Sequence, residues 1–436
     1  MSDSRRHGFI HGIAAPLLVL TLAGCAPADA PSPDRVVAFT GMRLIDGLGG
    51  APVDDAAMVV RDGRIEAVGP AAGMEIPEGA EQIDLSGRHV VPGLINTHGH
   101  VGRSAVVGLE REAADEAVRD ELRLYAAYGV TTVNSLGGGV EPSMRVRDAQ
   151  RDNPGLNYAR LLMSGPVLTG STPDEVRAQI EENSRLIPDW LKLRVDDNLG
   201  SSTKMPPEAY RTAIDEAHAM GLRLASHMFY LEDAKNLLRS GSDFLAHSVR
   251  DTNIDQEFVD LVMETGVCYC PTLTREVSTF VYRERPVFFD DPFFTRYANA
   301  EEVATLLDEE RMNSVRESRS AALYEEALAV ALGNVKAAVD AGIIVAMGTD
   351  TGPFGRFQGY FEHMEMELMA AAGLSPSQIL ASATGDAAAC LELDDVGTLE
   401  AGKWADFVVV SDDPLADIMN LRSIESVWIA GNQVER

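Results

Sequence analysis

A chain of 436 residues, 45% hydrophobic and 24% charged, can bury a large core plus an accessory unit, which excludes a disordered or fibrous protein. A formal net charge of −30 excludes non-specific binding to nucleic acid or anionic lipid, because like charges repel. Lys192, Lys204, Lys235, Lys336 and Lys403 are the only lysines, so a lysine inside a strand stands out.

The chain opens on a targeting segment that takes no part in the fold. Arg5 and Arg6 give a basic start, and Gly8 to Leu22 is largely apolar. Leu22-Ala23-Gly24-Cys25 then resembles the lipobox of bacterial lipoproteins, in which the cysteine is lipidated. Residues 1–24 read as a signal peptide, Cys25 as the lipidation site, and residues 25–35 as a tether rich in Pro, Ala and Asp. The apolar run is too short and too interrupted for a membrane span. With Cys268, Cys270 and Cys390 the chain has four cysteines, too few and too scattered for a disulfide framework. Cys268 and Cys270 share one face of a single strand and are expected to pack in the core.

Residues 36–91 read as β. Val36–Phe39 and Met42–Ile45 come first; Ala57–Val60 and Ile65–Val68 flank Asp62-Gly63, a strong hairpin signal; Gln82–Leu85 and His89–Val91 follow. From Pro92 the rhythm changes to strand then helix. Strands are expected at the segment ending in His98 and His100, then at Val130–Val133, Arg160–Met163, Trp190–Val195, Leu222–His227, Phe244–His247, Val267–Leu273 and Ile343–Met347. Eight β/α units point to α/β architecture, a (β/α)8 TIM barrel over residues 92–390. Residues 275–319 interrupt it as a charged, aromatic insertion that reads equally as a lid or as a solvated excursion. The tail returns to β, so residues 36–91 and 391–436 are expected to form one small β-sandwich from both chain ends.

The chemistry sits at strand ends. Side chains two apart in a strand point the same way, so His98 and His100 project together, and neutral imidazole is a common ligand of zinc-like metals. Trp190, Lys192 and Arg194 share one face of their strand and Leu191, Leu193 and Val195 the other; the apolar face packs under helices, so Lys192 points inward, where a lone ammonium is costly. His227, His247 and Asp350 each end a further strand. Singly each is weak; together they point to a metal centre.

With these motifs, VVPGLINTHGH, ASH ending at His227, LAHS around His247, GTD ending at Asp350 and the tail GTLEAGKWADFVVV, the chain resembles the amidohydrolase superfamily from about Val36 to Val434. It looks most like the imidazolonepropionase-like and prolidase-like branch. The resemblance implies two divalent metals, zinc by preference. His98, His100 and Asp350 would hold one, His227 and His247 the other, and Lys192 as N6-carboxylysine would bridge them. It implies hydrolysis of a carbon–nitrogen bond in a small amide such as a dipeptide or N-acyl amino acid, with a hydroxide between the metals attacking and Asp350 moving the proton. A deaminase or cyclic-amide hydrolase on the same scaffold, and a non-catalytic envelope binding protein, are the alternatives. Asn96 departs from the Asp of many relatives, and Phe229 stands where prolidase-like members carry Tyr, with Tyr230 next. Tyr230, Arg194, Arg250 and Arg103 are the candidate substrate contacts; each arginine could equally pair with an acid such as Asp196, Asp197 or Asp251. His363 and His218 read as packing or surface residues. The implied partners are a small amide and, through Cys25, a membrane lipid, with self-association into a homo-oligomer compatible; the implied location is the cell envelope.

Overall fold

The computed structural model describes residues 35–102, 106–138 and 140–436; Cys25, the lipobox and Arg103 lie outside the described residues. The first strands are β1 (Val36–Leu44), β2 (Val53–Arg61), β3 (Arg64–Pro70), β4 (Glu81–Asp84) and β5 (His89–Pro92). The middle of the chain supplies β6 (Leu94–Gly99), β7 (Val130–Ser135), β8 (Arg160–Met163), β9 (Trp190–Arg194), β10 (Arg223–His227), β11 (Phe244–Ala246) and β12 (Cys268–Cys270), and the tail β13 (Phe407–Val410), β14 (Ile424–Ile429) and β15 (Asn432–Gln433).

Both chain ends enter one sheet, in the order β15-β14-β13-β5-β1-β2-β3 with β4 on β1. Two expectations change here. The two short strands expected over residues 36–45 are one strand, kinked by a register shift beside Gly41, whose φ is 79°. In place of the two layers of a sandwich the strands form one continuous sheet, because β5 pairs in parallel with β1 and antiparallel with β13. Asp62 and Gly63 both take positive φ, as a two-residue hairpin turn requires. The sheet is apolar on both faces. Phe407 and Val409 of β13 pack with Phe39 and Met42, while the alternate Val408 and Val410 face the main core.

The middle of the chain makes two parallel sheets, β6-β7-β8 and β9-β10-β11-β12. Leu168, beyond β8, bridges to Leu193 of β9. Residues 343–347, expected as a full strand, are instead an extended segment with scattered pairing. The Ala346 amide donates to Tyr269 O (3.0 Å), Thr97 donates to Met347 O (2.9 Å), and the Met347 amide is diverted to Ser382 O (2.8 Å). That diversion is what breaks the ladder, although Tyr269–Val345 and Gly99–Thr351 remain as parallel bridges on either side.

Cys268 and Cys270 pack in the core as expected, but the bonding of Cys268 departs from expectation. Cys268 of β12 is bonded to Cys390, 122 positions away, with Cα atoms 5.7 Å apart; Cys270 alone of the described cysteines is a free, buried thiol. Cys390 lies in the short helix Gly385–Leu391, a contact set by tertiary packing that spacing does not reveal. The insertion is a run of short helices whose Tyr282, Phe289 and Phe294 pack with Tyr128, Phe357 and Tyr360 in an aromatic core of their own. Among the described residues no helix is long and apolar enough to cross a membrane.

Candidate metal centre

One cavity of about 150 Å³ is lined by His98, His100, Lys192, His227, His247 and Asp350, together with Leu136, Val167 and Arg194. The cause is strand geometry. β6 delivers His98 at its last turn and His100 just beyond; β9 delivers Lys192 from its inward face; β10 ends at His227, and His247 and Asp350 follow β11 and the last extended segment.

His100 Nε2 lies 2.6 Å from Asp350 Oδ1 and His98 Nε2 3.5 Å from the same oxygen. One donor atom from each of these three residues falls within 4.8 Å of the others. Lys192 Nζ stands 3.4 Å from His98 Nε2. The imidazole of His247 packs against those of His98 and His227, with ring centroids 4.8 and 4.2 Å apart. Four imidazoles, a lysine and a carboxylate therefore share one buried pocket.

The electrostatics suit a cation. Burial, then the charge of Lys192, holds His98 well below its ordinary pKa; burial, then His227, does the same for His247. Burial takes His227 down to about 4 despite Asp196. These rings are neutral at pH 7, with lone pairs to give. Burial alone would raise Asp350, but the Arg356 guanidinium and His100 hold it well below the usual carboxylate range. Burial also pushes the Lys192 ammonium down to about 8, with Asp350 opposing. Neutral imidazoles converging with an ionised carboxylate are the donor set a zinc-like ion takes, so the residues fit a divalent metal.

Three neighbours fix the donors, and sequence reasoning named none of them in that role. Asp196 Oδ2 accepts from His227 Nε2 (2.9 Å), leaving Nδ1 as the ring's free donor; Thr272 Oγ1 bonds His247 Nδ1 (2.6 Å), leaving Nε2. Such partners set tautomer and ring orientation. Arg356 Nη1 donates to Asp350 Oδ2. Asp196 had a signal, since it continues the Lys192, Arg194 alternation; Thr272 and Arg356 lie in turns with none. His247, Thr272 and Asp350 also sit at positive φ, 76°, 49° and 59°. That conformation costs non-glycine residues on the order of 1–3 kcal/mol and tends to be stored where function over-determines the backbone.

Asn96 has a structural reason. Its Nδ2 donates to Glu362 Oε1 (2.6 Å) and its Oδ1 accepts from the His98 amide (2.9 Å). The hydroxyls of Thr349 and Thr351 also donate to that Glu362 oxygen. An Asp at 96 would set two carboxylates against each other.

The candidate substrate contacts divide. Arg194 lines the cavity, its Nε donating to Asp196 Oδ1 (2.8 Å). Arg250 does not line it: it is fully buried, paired with Glu276 at 2.8 Å, and donates to the carbonyls of Met228 and Ser248. Tyr230 also turns away, its hydroxyl donating to Asp197 (2.8 Å) while Lys204 sits over the ring. His363 is buried against Tyr128 O (2.8 Å), and His218 pairs with Asp243 on the surface.

The profile of the amidohydrolase family matches residues 89–434. An imidazolonepropionase from Deinococcus radiodurans is 24% identical over 93% of this chain and 96% of its own length. A candidate prolidase from Bifidobacterium longum has the same fold at a TM-score of 0.75, with 26% identity over 92% of this chain and 95% of that one. A Xaa-Pro dipeptidase solved with methionine in its active site superposes at a TM-score of 0.73, with 22% identity over 92% of this chain and all of that one.

Proposed function

Since the chain belongs to the amidohydrolase family and is a metal-dependent hydrolase of carbon–nitrogen bonds, we propose that it cleaves the amide of a dipeptide or N-acyl amino acid at a two-metal centre. The observation that carries this reading is the single cavity lined by all six strand-end side chains. In this reading His98, His100 and Asp350 would hold one ion and His227 and His247 the other, with Lys192 shared between them. Neutral Lys192 would add to carbon dioxide, forming the N–C bond of a carbamate and releasing a proton; its lowered pKa raises the share of nucleophilic amine near neutral pH. Bound divalent metal supplies Lewis acidity toward water and the scissile carbonyl.

The chain's own groups do the rest. Asp350 takes the proton of the attacking water and returns it to the leaving amine; the charge of Arg356 keeps its carboxyl ionised between turnovers. Leu136 and Val167 wall the cavity against bulk water. Arg194, in the lining, meets the substrate carboxylate, for which a guanidinium fork is suited.

The two parallel sheets and the bridges Leu168–Leu193, Tyr269–Val345 and Gly99–Thr351 support a closed (β/α)8 barrel over residues 92–390, with the strands of 36–91 and 391–436 as a second unit. The Cys268–Cys390 disulfide supports export, since such bonds persist in oxidising compartments; the lipid anchor at Cys25 rests on the lipobox alone. The similarity to an imidazolonepropionase over nearly the full length favours a second reading, opening of a cyclic amide. A zinc-loaded preparation assayed on dipeptides, N-acyl amino acids and cyclic amides tests both. Turnover of the linear amides, lost on chelation, is expected; turnover confined to cyclic amides favours the second reading, and tight binding without turnover overturns both.

A further inference from the structure

Asp350 presents two oxygens to different surroundings. Oδ1 faces His100 and His98; Oδ2 accepts from Arg356 Nη1, which also reaches Asp350 O at 3.3 Å. The other side of the same guanidinium is anchored, its Nε donating to Ser278 Oγ at 3.0 Å. Ser278 belongs to the helix Leu273–Phe280, the first element of the aromatic insertion. Arg356 thus spans from Asp350 to the insertion.

The loop that carries Arg356 is tied to the insertion elsewhere too. The Tyr282 hydroxyl donates to Gly355 O, and the Gly355 amide donates to Glu302 Oε1 at 2.7 Å. A Cβ at Gly355 would come within 3.1 Å of the Tyr282 ring, and one at Gly352 within 2.3 Å of His100 O, so the loop is wedged between the insertion and β6. Leu273 and Thr274, at the start of the same helix, donate their amides to Glu365 at 2.7 and 2.8 Å. A segment held at this many buried points is built as a brace.

We propose that the insertion acts as a strut for Asp350, with Arg356 as the positioning residue that transmits it. By holding Oδ2, Arg356 fixes which way the Asp350 carboxylate faces, with Oδ1 toward the imidazoles. Ser278 fixes Arg356 in turn. This deepens the proposed function and rests on its assignment of the proton to Asp350. The substrate does not need to touch Arg356 for the strut to work, which separates it from a carboxylate-binding arginine.

The test is steady-state kinetics of Arg356→Met, Arg356→Lys and Ser278→Ala, with hydrogen exchange over residues 348–359 measured on the same proteins without added metal. Misplacing a reacting group by an ångström costs on the order of 10²-fold, so Arg356→Met should lower kcat about 10–100-fold with KM within about threefold. Ser278→Ala should lower kcat by about two- to fivefold. Arg356→Lys, which keeps the charge but cannot hold Asp350 and Ser278 together, should fall between them. Exchange in 348–359 should rise in the same order. A KM that rises more than kcat falls would make Arg356 a substrate-binding group and overturn the strut; so would unchanged kcat in both Arg356→Lys and Ser278→Ala, which keep the proteins folded if Arg356→Met does not. A wild type that turns over none of the linear or cyclic amides would instead count against the proposed function, and unchanged exchange in all three variants would then count against the strut itself.

Discussion

In the sheet built from the chain ends, Asp406 accepts from Arg160 Nε (2.7 Å) and Nη2 (3.1 Å) and from the Ala430 amide (2.7 Å). Arg160 also lies over the Trp404 ring, 4.7 Å from its centroid, with Arg64 3.9 Å from that centroid. In the strand-end cavity Asp350 meets Arg356 through one carboxylate oxygen, and its other carboxylate oxygen faces imidazoles. Both are buried arginine–aspartate pairs. The first spends both carboxylate oxygens on the fold. The second turns one toward the imidazoles and accepts a positive φ at Asp350 to aim it.

That contrast can be broken from either end. Asp350→Asn keeps the shape and much of the bonding to Arg356 but cannot carry a proton, so kcat should fall on the order of 10²–10⁴-fold, the span general acid–base groups contribute. Chemical denaturation should show a loss as well, since Arg356 is left without its counter-charge. Asp406→Asn should lower stability without touching turnover. Removing one partner of a buried pair costs about 3–5 kcal/mol, read as a lowered denaturation midpoint, while kcat of the remaining folded protein stays at the wild-type value. If Asp406→Asn abolishes turnover in folded protein, the division of labour between the two regions is wrong.

Asn96→Asp sharpens the comparison, because it places an acid where the site has no cation to pair it. Burial already raises the pKa of Glu362, and a second carboxylate within hydrogen-bond distance raises one of the two further. The folded state then binds a proton that the unfolded chain has released above about pH 4. Stability of the variant therefore falls as pH rises, by linkage. A deficit of about 1–3 kcal/mol against wild type is expected at pH 8, the scale of a buried polar group left without its partner, and a smaller one at pH 5. Equal deficits at both pH values would mean that Glu362 is not the reason for Asn96.

What could be read from the sequence follows from which contacts are periodic. Strand alternation and strand ends alone bring His98, His100, Lys192, His227, His247 and Asp350 to one region, and the structure puts all six around one cavity. Contacts made by turns carry no period. Arg356 and Thr272 touch Asp350 and His247 from irregular backbone, and Cys268 meets Cys390 through the packing of the helix Gly385–Leu391. The arginines show the same limit. Arg194 and Arg250 lie equally near ligand motifs, and only the packing shows that one lines the cavity while the other is spent on Glu276. The segment 343–347 has a strand's composition, yet its amide at Met347 is taken by Ser382 O.

The most direct test of the central claim, that these six side chains hold two metals bridged by a carboxylated Lys192, is metal content per chain after loading with zinc and bicarbonate. Wild type should bind two, and Lys192→Ala should lose metal and turnover together, with partial return of both when a short carboxylic acid is supplied in place of the carbamate. A Lys192→Ala protein that keeps two metals and wild-type turnover without that acid would contradict the account.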